Sequence, residues 1–306
     1  MSADAIVAQG LVKRFGDLEA VAGIDFVVRR AECFGFLGVN GAGKTSTVRM
    51  VQCVSPPSSG ALTVLGHDVR SAPRQIKARL GVVPQENSLD PDITVRSNLL
   101  VYARYFDVGR GDASRRADEL LEFVQLSDRA DSLVSTLSGG LKRSLVLARA
   151  MINSPELMLL DEPTTGLDPQ ARHWVWSRLR SLRAAGVTML LTTHYMEEAA
   201  QLCDRIAVID AGKLLAEGEP GELVREHVGD QCIEIRTLPA EHTELDARLA
   251  VVGVTHREQV GDTIYLYPRT EVDWSALHAI PHERLLQRSA TLEDLFLRLT
   301  GRGLRE

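Results

Sequence analysis

GVNGAGKT at residues 38–45 follows the apolar run CFGFL at residues 33–37 and precedes a helical pattern that begins near Lys44. These residues fit the phosphate-loop pattern GxxxxGK[ST], in the strand-to-helix context in which that loop occurs. Glycines allow successive backbone N–H groups to curve around phosphate oxygens, and the helix N-terminus adds a partial positive charge. The stretch therefore predicts a nucleotide-binding α/β domain in preference to an accidental glycine-rich turn.

The side chains of this loop have the chemistry that a magnesium nucleotide requires. Lys44 can reach the β- and γ-phosphates, and the hydroxyl of Thr45 can take one position on Mg²⁺. We therefore expect ATP and Mg²⁺ as ligands. The residues of the loop that are predicted to contact the nucleotide are Asn40, Gly41, Ala42, Gly43, Lys44, Thr45 and Ser46.

Two acids end another apolar run, in the stretch LMLLDE at residues 157–162. A buried strand delivers its last residues to the crevice in which parallel sheets bind nucleotides. Asp161 is therefore predicted to hold Mg²⁺, and Glu162 to act as the general base for the attacking water. A strand that ends in a solvated acidic turn is the alternative, which the preceding phosphate loop disfavours.

The stretch LSGGL at residues 137–141 opens a further helical pattern. The hydroxyl of Ser138 and the amides of Gly139 and Gly140 would lie at the N-terminus of that helix, where anions bind favourably. An ordinary serine N-cap is the simpler interpretation. From the residues alone, the stretch is thus a candidate second anion site.

The order of the motifs identifies a family. The chain contains in succession the phosphate loop, VVPQ at residues 82–85, LSGG at 137–140, LLDEP at 159–163, GLD at 166–168 and TTH at 192–194. In this order they resemble the nucleotide-binding domain of ABC ATPases. The resemblance implies a P-loop NTPase fold with a RecA-like core, an antiparallel β-subdomain and an inserted helical subdomain. It also implies a head-to-tail homodimer in the ATP-bound state, in which the LSGG signature of each copy contacts the γ-phosphate that the other copy holds.

The resemblance also implies roles for single residues. Phe15 would stack on adenine through its flat ring face, unless the ring serves only packing. Gln85 would sense Mg²⁺ and the attacking water, and Asp168 would lie at the dimer interface. His194 would be the switch histidine that reaches the γ-phosphate, although a lone histidine is more often structural.

Leu141 departs from the family pattern, since many members have glutamine at the fifth signature position. The phosphate contacts are expected from Ser138 and the glycine amides, so we expect hydrolysis to survive. Contacts that the glutamine would make across the dimer are in doubt.

Five stretches make the resemblance closer still to the nodulation ATP-binding protein I type and to daunorubicin-resistance-type ATPases. They are residues 32–38, 98–106, 171–176, 193–199 and 292–301. The resemblance implies an ATPase that drives export of a drug-like or lipo-oligosaccharide amphiphile through a separate membrane permease. The identity of the substrate does not follow, because the permease would recognise it.

The length and composition fit a folded chain of one large domain or two ordinary ones. The chain has 306 residues, of which 44% are hydrophobic and 25% charged, and its net charge of −6 argues against a nucleic-acid partner. No stretch resembles a secretory signal or reaches the ~20 apolar residues that cross a bilayer. We therefore expect a peripheral protein at the cytoplasmic face of the membrane, with its four scattered cysteines reduced and mostly buried.

The predicted fold class is α/β, with a small α+β domain at the C-terminus. We expect the nucleotide-binding domain at residues 1–229, its helical subdomain at about 88–155, and the accessory domain at 230–306. Predicted strands lie at 5–8, 20–28, 33–37, 61–64, 80–83, 157–160, 188–192, 206–209, 214–216, 232–236, 251–258, 263–267 and 285–288. Predicted helices lie at 44–52, 95–106, 114–126, 244–250, 271–279 and 292–299, with another starting near residue 139.

Other functions compete with the exporter subunit. An importer ATPase, a soluble ABC protein that acts on ribosomes or DNA, and a binding module without catalysis are the alternatives. The presence of Lys44, Asp161, Glu162 and His194 argues against the last. The segment 86–91 is expected to transmit motion to the permease, or else to be plain surface. The helix at 292–299 either packs on its own domain or regulates closure.

Overall fold

The computed structural model describes residues 4–236, 257–268 and 272–301. The chain divides into two compact units, Met1–Leu214 and Leu215–Glu306, which are described separately. The predicted domain boundary between residues 229 and 230 stays a prediction. The predicted helix at 244–250 and most of the predicted strand at 251–258 lie outside the described residues.

A mostly parallel sheet forms the centre of the first unit. Its strands, among the described residues, are β3 (Cys33–Leu37), β6 (Leu80–Val83), β7 (Leu157–Asp161), β8 (Thr188–Thr193) and β9 (Arg205–Asp210), in the order β9-β3-β8-β7-β6. The next strand, β10 (Lys213–Gly218), begins in the first unit and ends in the second. β3, β7 and β8 are buried along their whole length, as expected of parallel strands that are covered on both faces. Because these strands run parallel, their carboxyl ends meet at one edge.

An antiparallel sheet lies beside it. This sheet consists of β1 (Asp4–Phe15), β2 (Leu18–Arg29), β4 (Ser59–Val64) and β5 (His67–Asp68), in the order β2-β1-β4-β5. Helix α1 (Lys44–Val51) packs against strands of both sheets, and all three elements contribute to one apolar core. The ring of Phe26 on β2 meets those of Phe34 and Phe36 on β3, with centroids 6.1 and 5.0 Å away. The core thus fixes α1 directly behind the phosphate loop.

A helical subdomain interrupts the parallel sheet between β6 and β7. It contains α3 (Val95–Arg104), α4 (Arg110–Phe123) and α5 (Gly139–Ala150), which share a second apolar core. The predicted helices at 95–106 and 114–126 are therefore confirmed with shifted ends. Asp107 and Gln125 have φ angles of +56° and +58°, which end the α-helical geometry after each of the first two helices.

The remaining helices of the first unit include three that the sequence patterns do not predict. They are α2 (Pro73–Lys77), α6 (Pro169–Ala184) and α7 (Met196–Leu202). α6 begins with Asp168 as N-cap and proline at its first position, which is a recognised helix start. All four cysteine thiols, each among the described residues, are free, and those of Cys33, Cys203 and Cys232 are buried.

The second unit has an α+β composition, as predicted. In its described part, β11 (Gln231–Arg236), β12 (Arg257–Val260), β13 (Thr263–Leu266) and β14 (Arg284–Ser289) form an antiparallel sheet in the order β12-β13-β11-β14. Its helices are α8 (Pro220–His227), α9 (Trp274–His278) and α10 (Leu292–Thr300). α10 contacts α8 of the same unit, and Leu295 and Phe296 on α10 are buried, so the predicted amphipathic helix is present.

Candidate nucleotide-binding and catalytic site

The phosphate loop and the predicted metal and catalytic residues gather at the carboxyl edge of the parallel sheet. Leu37, the last residue of β3, lies in register with Thr193 of β8, and Asp161 of β7 lies in register with Thr192. The phosphate loop, the two acids and His194 therefore leave the sheet side by side. This is the position at which open α/β sheets bind nucleotides.

Two glycines set the shape of the phosphate loop. Gly43 has a φ of +108° and is the N-cap of α1, and a Cβ on it would lie 2.4 Å from the carbonyl oxygen of Ala20. Gly38 has an ordinary φ, but a Cβ there would lie 2.2 Å from the carbonyl oxygen of Ile209. The loop backbone therefore fits its surroundings only because these two positions have no side chain.

Lys44 is buried within this loop. Its ammonium donates to the carbonyl oxygens of Gly38 and Val39 at 2.8 and 3.0 Å. Burial lowers the pKa of Lys44, while the nearby charges of Glu162 and Asp161 raise it in part. The cation is thus held against two carboxylates in a desolvated place, where its attraction for phosphate oxygens is strong.

Thr45 and Asp161 bring two oxygen ligands together. The hydroxyl of Thr45 donates to Asp161 Oδ1 at 3.3 Å, and the hydroxyl of Thr192 donates to the same oxygen. Mg²⁺ prefers hard oxygen ligands of this kind. Thr45 and Asp161, two of the three residues predicted to contact the metal, therefore fit a magnesium site in both chemistry and position. Gln85, the third, donates instead to Glu162.

Glu162 has an unusual backbone. Its φ is +46°, a left-handed conformation that costs roughly 1–3 kcal/mol for a residue with a side chain. Its N–H donates to the carbonyl oxygen of Thr192 at 2.9 Å, which ties the residue to the neighbouring strand. Strain of this kind persists only where surrounding contacts hold it, and it concentrates at functional sites.

The carboxylate of Glu162 is only 5% exposed, and its two oxygens have different surroundings. Oε2 accepts hydrogen bonds from the Thr165 hydroxyl at 3.1 Å and from Gln85 Nε2 at 3.3 Å. Oε1 lies 3.7 Å from Lys44 Nζ and 3.2 Å from His194 Nδ1. The last contact is within ion-pair distance but lacks hydrogen-bond geometry. One oxygen is therefore anchored, while the other faces a cation and the histidine.

Phe15 lies apart from these residues, near the turn between β1 and β2, with 49% of its surface exposed. Lys13 Nζ is 4.9 Å from the centroid of its ring. The same ammonium donates to the carbonyl oxygen of Pro56 at 2.8 Å, so it is fixed in place. The ring therefore has its cationic neighbour held on one side and remains accessible for stacking.

The signature residues form a second group. Ser138 is the N-cap of α5 and accepts from the N–H of Leu141 at 3.4 Å, as the simpler interpretation expects. Asp168 caps α6 and accepts from the N–H of Ala171 at 2.9 Å. Ser138, Gly140, Leu141 and Asp168 line one cavity of about 420 Å³, in which no described lining residue comes from the phosphate loop. The predicted residues thus form two separate groups, one around the phosphate loop and one at the signature.

Some residues at the site are absent from the sequence-based prediction. Thr165 anchors Glu162, Thr192 anchors Asp161, and the guanidinium of Arg143 reaches the carbonyl oxygens of Glu162 and Pro163. Thr192 belongs to the TTH motif at residues 192–194, and Thr165 lies between the LLDEP and GLD motifs, so their positions in the sequence could have indicated a role at the site. Arg143 lies in the helix after the signature, and no local pattern points to its contacts.

The chain is similar to proteins whose family is known. A family model described as ABC transporter matches residues 21–165, and one described as nodulation factor export protein NodI, C-terminal domain, matches residues 240–301. Nod factor export ATP-binding protein I of Ralstonia nicotianae is 47% identical over 97% of this chain and 94% of its own length. The protein of that name from Bradyrhizobium diazoefficiens is 48% identical over 99% of each chain.

Solved structures share the fold of most of the chain. An ATP-binding subunit of an ABC transporter is 26% identical, with a TM-score of 0.66 over 72% of this chain and 92% of its own. A dimeric ATP-binding cassette bound to ADP and Pi is 22% identical, with a TM-score of 0.63 over 70% of this chain and 98% of its own. At that identity the second likeness concerns the fold alone.

Replacing Gly43 by alanine should disable the phosphate loop. The added Cβ would overlap the carbonyl oxygen of Ala20 and would force a left-handed φ on a residue that resists it. We expect the affinity for a fluorescent ATP analogue to fall by about tenfold or more, in titrations of the folded variant. Gly111→Ala on α4 is the control, since its Cβ would meet open space and its φ is ordinary. Equal affinities of the two variants would contradict this description of the loop.

Proposed function

The chain belongs to the ABC transporter ATP-binding proteins, in the family of Nod factor export ATP-binding protein I, and from this premise we propose that it drives an exporter. The chain is an ATPase. In the proposed exporter it acts on a separate membrane permease that moves an amphiphilic molecule of the drug or lipo-oligosaccharide class. The near full-length likeness to proteins named for Nod factor export supports the direction of transport and the substrate class.

One observation carries the proposal of coupled hydrolysis. Lys44, Asp161, Glu162, Gln85 and His194 converge at one edge of the sheet, although the sequence places them far apart. A lysine for the phosphates, an acid for a metal, a base for water and a polar residue that orients the water are the groups that phosphoryl transfer requires.

The two environments of Glu162 divide its roles. Thr165 and Gln85 hold Oε2, so this oxygen orients the carboxylate. We propose that Oε1 accepts the proton of the attacking water while Lys44 contacts the terminal phosphates. Mg²⁺, held by Thr45 and Asp161, would neutralise phosphate charge when bound. His194 would donate to the γ-phosphate from its place beside Oε1.

We propose that the site is completed by a second copy of the chain. Ser138, Gly139 and Gly140 present a hydroxyl and amides at the exposed N-terminus of α5, in a cavity separate from the phosphate loop. Such an N-terminus favours an anion. A head-to-tail pair would bring each signature onto the phosphates of the other copy, and Asp168 beside it would lie in the interface.

The helical subdomain provides a candidate surface for the permease. A cavity of about 490 Å³ is lined by residues that include Pro84, Ser88, Val101, Tyr102, Tyr105 and Arg149. Val101 on α3 and Tyr105, the C-cap residue that follows the helix, lie four residues apart and are 42% and 77% exposed, so the groove has an apolar rim. We propose that a short cytoplasmic helix of the permease binds here with apolar side chains.

The segment after β6 connects this groove to the catalytic site. Pro84 lines the groove, and the next residue, Gln85, donates to Glu162. Arg149 holds the far end of the segment through the carbonyl and hydroxyl oxygens of Ser88, with its guanidinium 4.7 Å from the ring of Tyr102. Closure of the two copies around ATP would therefore move the bound permease. For this contact, the chain must lie at the cytoplasmic face of the membrane. No helix within the described ranges is long and apolar enough to span that membrane.

Glu162→Gln tests the proposed hydrolytic cycle. The amide keeps the size of the side chain but cannot accept the proton, so we expect hydrolysis to fall by about 10²–10⁴-fold with ATP binding retained. ATP should then convert the variant from monomer to dimer in size-exclusion chromatography with light scattering.

Glu122→Gln, the same change at an exposed residue of α4, is the control and should hydrolyse ATP like the unaltered chain. Wild-type turnover by the Glu162 variant would exclude it as the base. Tight ATP binding without a dimer would contradict the pairing.

Tyr105→Asp tests the permease surface. A charge on the exposed rim of the groove should abolish co-purification with a co-expressed permease partner, because an apolar helix would have to desolvate that charge. Val54→Asp places the same charge at another exposed apolar residue, which lies outside the helical subdomain, and should leave co-purification unchanged. Normal assembly of the Tyr105 variant would remove this surface from the account.

A further inference from the structure

A buried arginine lies beneath the catalytic residues. Arg143 is on α5, one turn after the signature glycines, and is only 4% exposed. Its guanidinium donates to the carbonyl oxygens of Pro84 at 2.6 Å and Glu162 at 3.2 Å. It also reaches those of Pro163 and Gln85. Every one of these acceptors is a main-chain carbonyl, so the arginine constrains the backbone of these segments and does not bond to their side chains.

The four carbonyls come from two segments that end in catalytic side chains. Pro84 and Gln85 follow β6, and Glu162 and Pro163 follow β7. Arg143 therefore bonds to both segments and sets the distance between them. The hydrogen bond between the Gln85 and Glu162 side chains lies directly across that gap.

The strained residue depends on Arg143. Glu162 keeps its left-handed backbone because contacts on both sides hold it. Thr192 accepts from its N–H at 2.9 Å, and Arg143 donates to its carbonyl oxygen and to that of the next residue. Without the arginine, the hydrogen bonds on the carbonyl side of Glu162 are lost, and the backbone of Glu162 can relax toward an ordinary φ.

A buried glutamate supports the same stretch from another direction. Glu198 on α7 is fully buried, and its Oε1 accepts from the Thr164 hydroxyl at 2.7 Å and from Trp176 Nε1 at 3.0 Å. Burial raises the pKa of Glu198, and hydrogen bonds and the charge of Arg143 offset part of that rise. Burial lowers the pKa of Arg143 to about 10, which leaves it charged at neutral pH. Residues 162–164 are thus held between a buried cation and a buried acid.

We propose that Arg143 is a positioning residue for ATP hydrolysis, which connects the helix that begins at the signature to the conformation of Glu162 and Gln85. An anion that binds to Ser138 at the start of α5 would then affect the position of Glu162. The connection consists of the first turn of α5 and the guanidinium of Arg143. This inference rests on the proposed role of Glu162 as the base. It predicts a loss of turnover without a loss of nucleotide binding, since Arg143 does not contact the phosphate loop in the described structure.

The test compares Arg143→Gln and Arg143→Lys with Arg79→Gln. Arg79 is a partly buried arginine that bonds Glu156 and the carbonyl oxygen of Leu65, away from the site, so its loss controls for the general effect of removing such a side chain. For each variant, kcat, KM for ATP, the Kd of a fluorescent ATP analogue and the melting temperature are measured. Glu162→Gln is measured beside them.

We expect Arg143→Gln to lower kcat by about 10–10²-fold, as a misplaced catalytic group does. Its Kd should stay within about threefold of the unaltered value, the pattern of an interaction made in the transition state. Lysine keeps the charge but cannot bond all four carbonyls, so Arg143→Lys should recover part of kcat. Arg79→Gln should change only the melting temperature.

Three results would overturn the inference. They are an unchanged kcat in Arg143→Gln, a parallel fall of kcat and ATP affinity, and an unchanged kcat in Arg143→Lys if the glutamine variant does not fold. Each of these leaves the proposed function intact as long as Glu162→Gln is inactive. If Glu162→Gln hydrolyses ATP normally, the role of the base fails instead, and with it the premise of the inference.

Discussion

The register of three parallel strands governs the catalytic site. β3, β8 and β7 pair so that Leu37 faces Thr193 and Asp161 faces Thr192, and every group that follows them emerges at one edge. A shift of one residue in either pairing would turn the side chains of a strand to the opposite face of the sheet. The apolar runs of these strands prevent such a shift only collectively, through burial on both faces. The chemistry of the phosphates thus depends on the packing of a core that contains no catalytic residue.

Function also requires conformations that the chain resists. Glu162 has a left-handed backbone, Lys44 and Arg143 are buried cations, and Glu198 is a buried carboxyl group whose pKa is raised by burial. Each is tolerated because neighbouring groups compensate it: the carboxylates near Lys44, the carbonyls around Arg143 and the hydroxyl and indole donors to Glu198. The apolar core that fixes α1 and the parallel sheet holds these groups in place.

The sequence predicts those features whose physics is local. A phosphate loop needs glycines at set positions between a strand and a helix, so residues 38–45 define both the fold class and the nucleotide site. β3 and β6 have the predicted bounds for the same reason, since each is a short apolar run. α6 could also have been predicted, because Asp168 and Pro169 form a helix start.

Other features depend on the tertiary arrangement and have no local signal. The contacts of Arg143 join segments that are distant in sequence, and a buried arginine on an amphipathic helix looks like a surface residue until the helix is packed. The φ of Glu162 arises from the junction of β7 with its neighbour β8 and is likewise invisible in the motif. The resemblance to a family supplied the signature and switch roles, which depend on a bound nucleotide and a second copy of the chain.

The central claim is that each active site is shared between two copies of the chain. Mixing Lys44→Ala with Ser138→Arg tests it most directly, because each variant alone would lack one half of both sites. Half of the dimers in an equal mixture would be mixed pairs, each with one intact site, so the account predicts recovery of about one quarter of the unaltered ATPase rate. A mixture that stays as inactive as its components, or a Ser138→Arg variant that hydrolyses ATP normally by itself, would contradict the shared site.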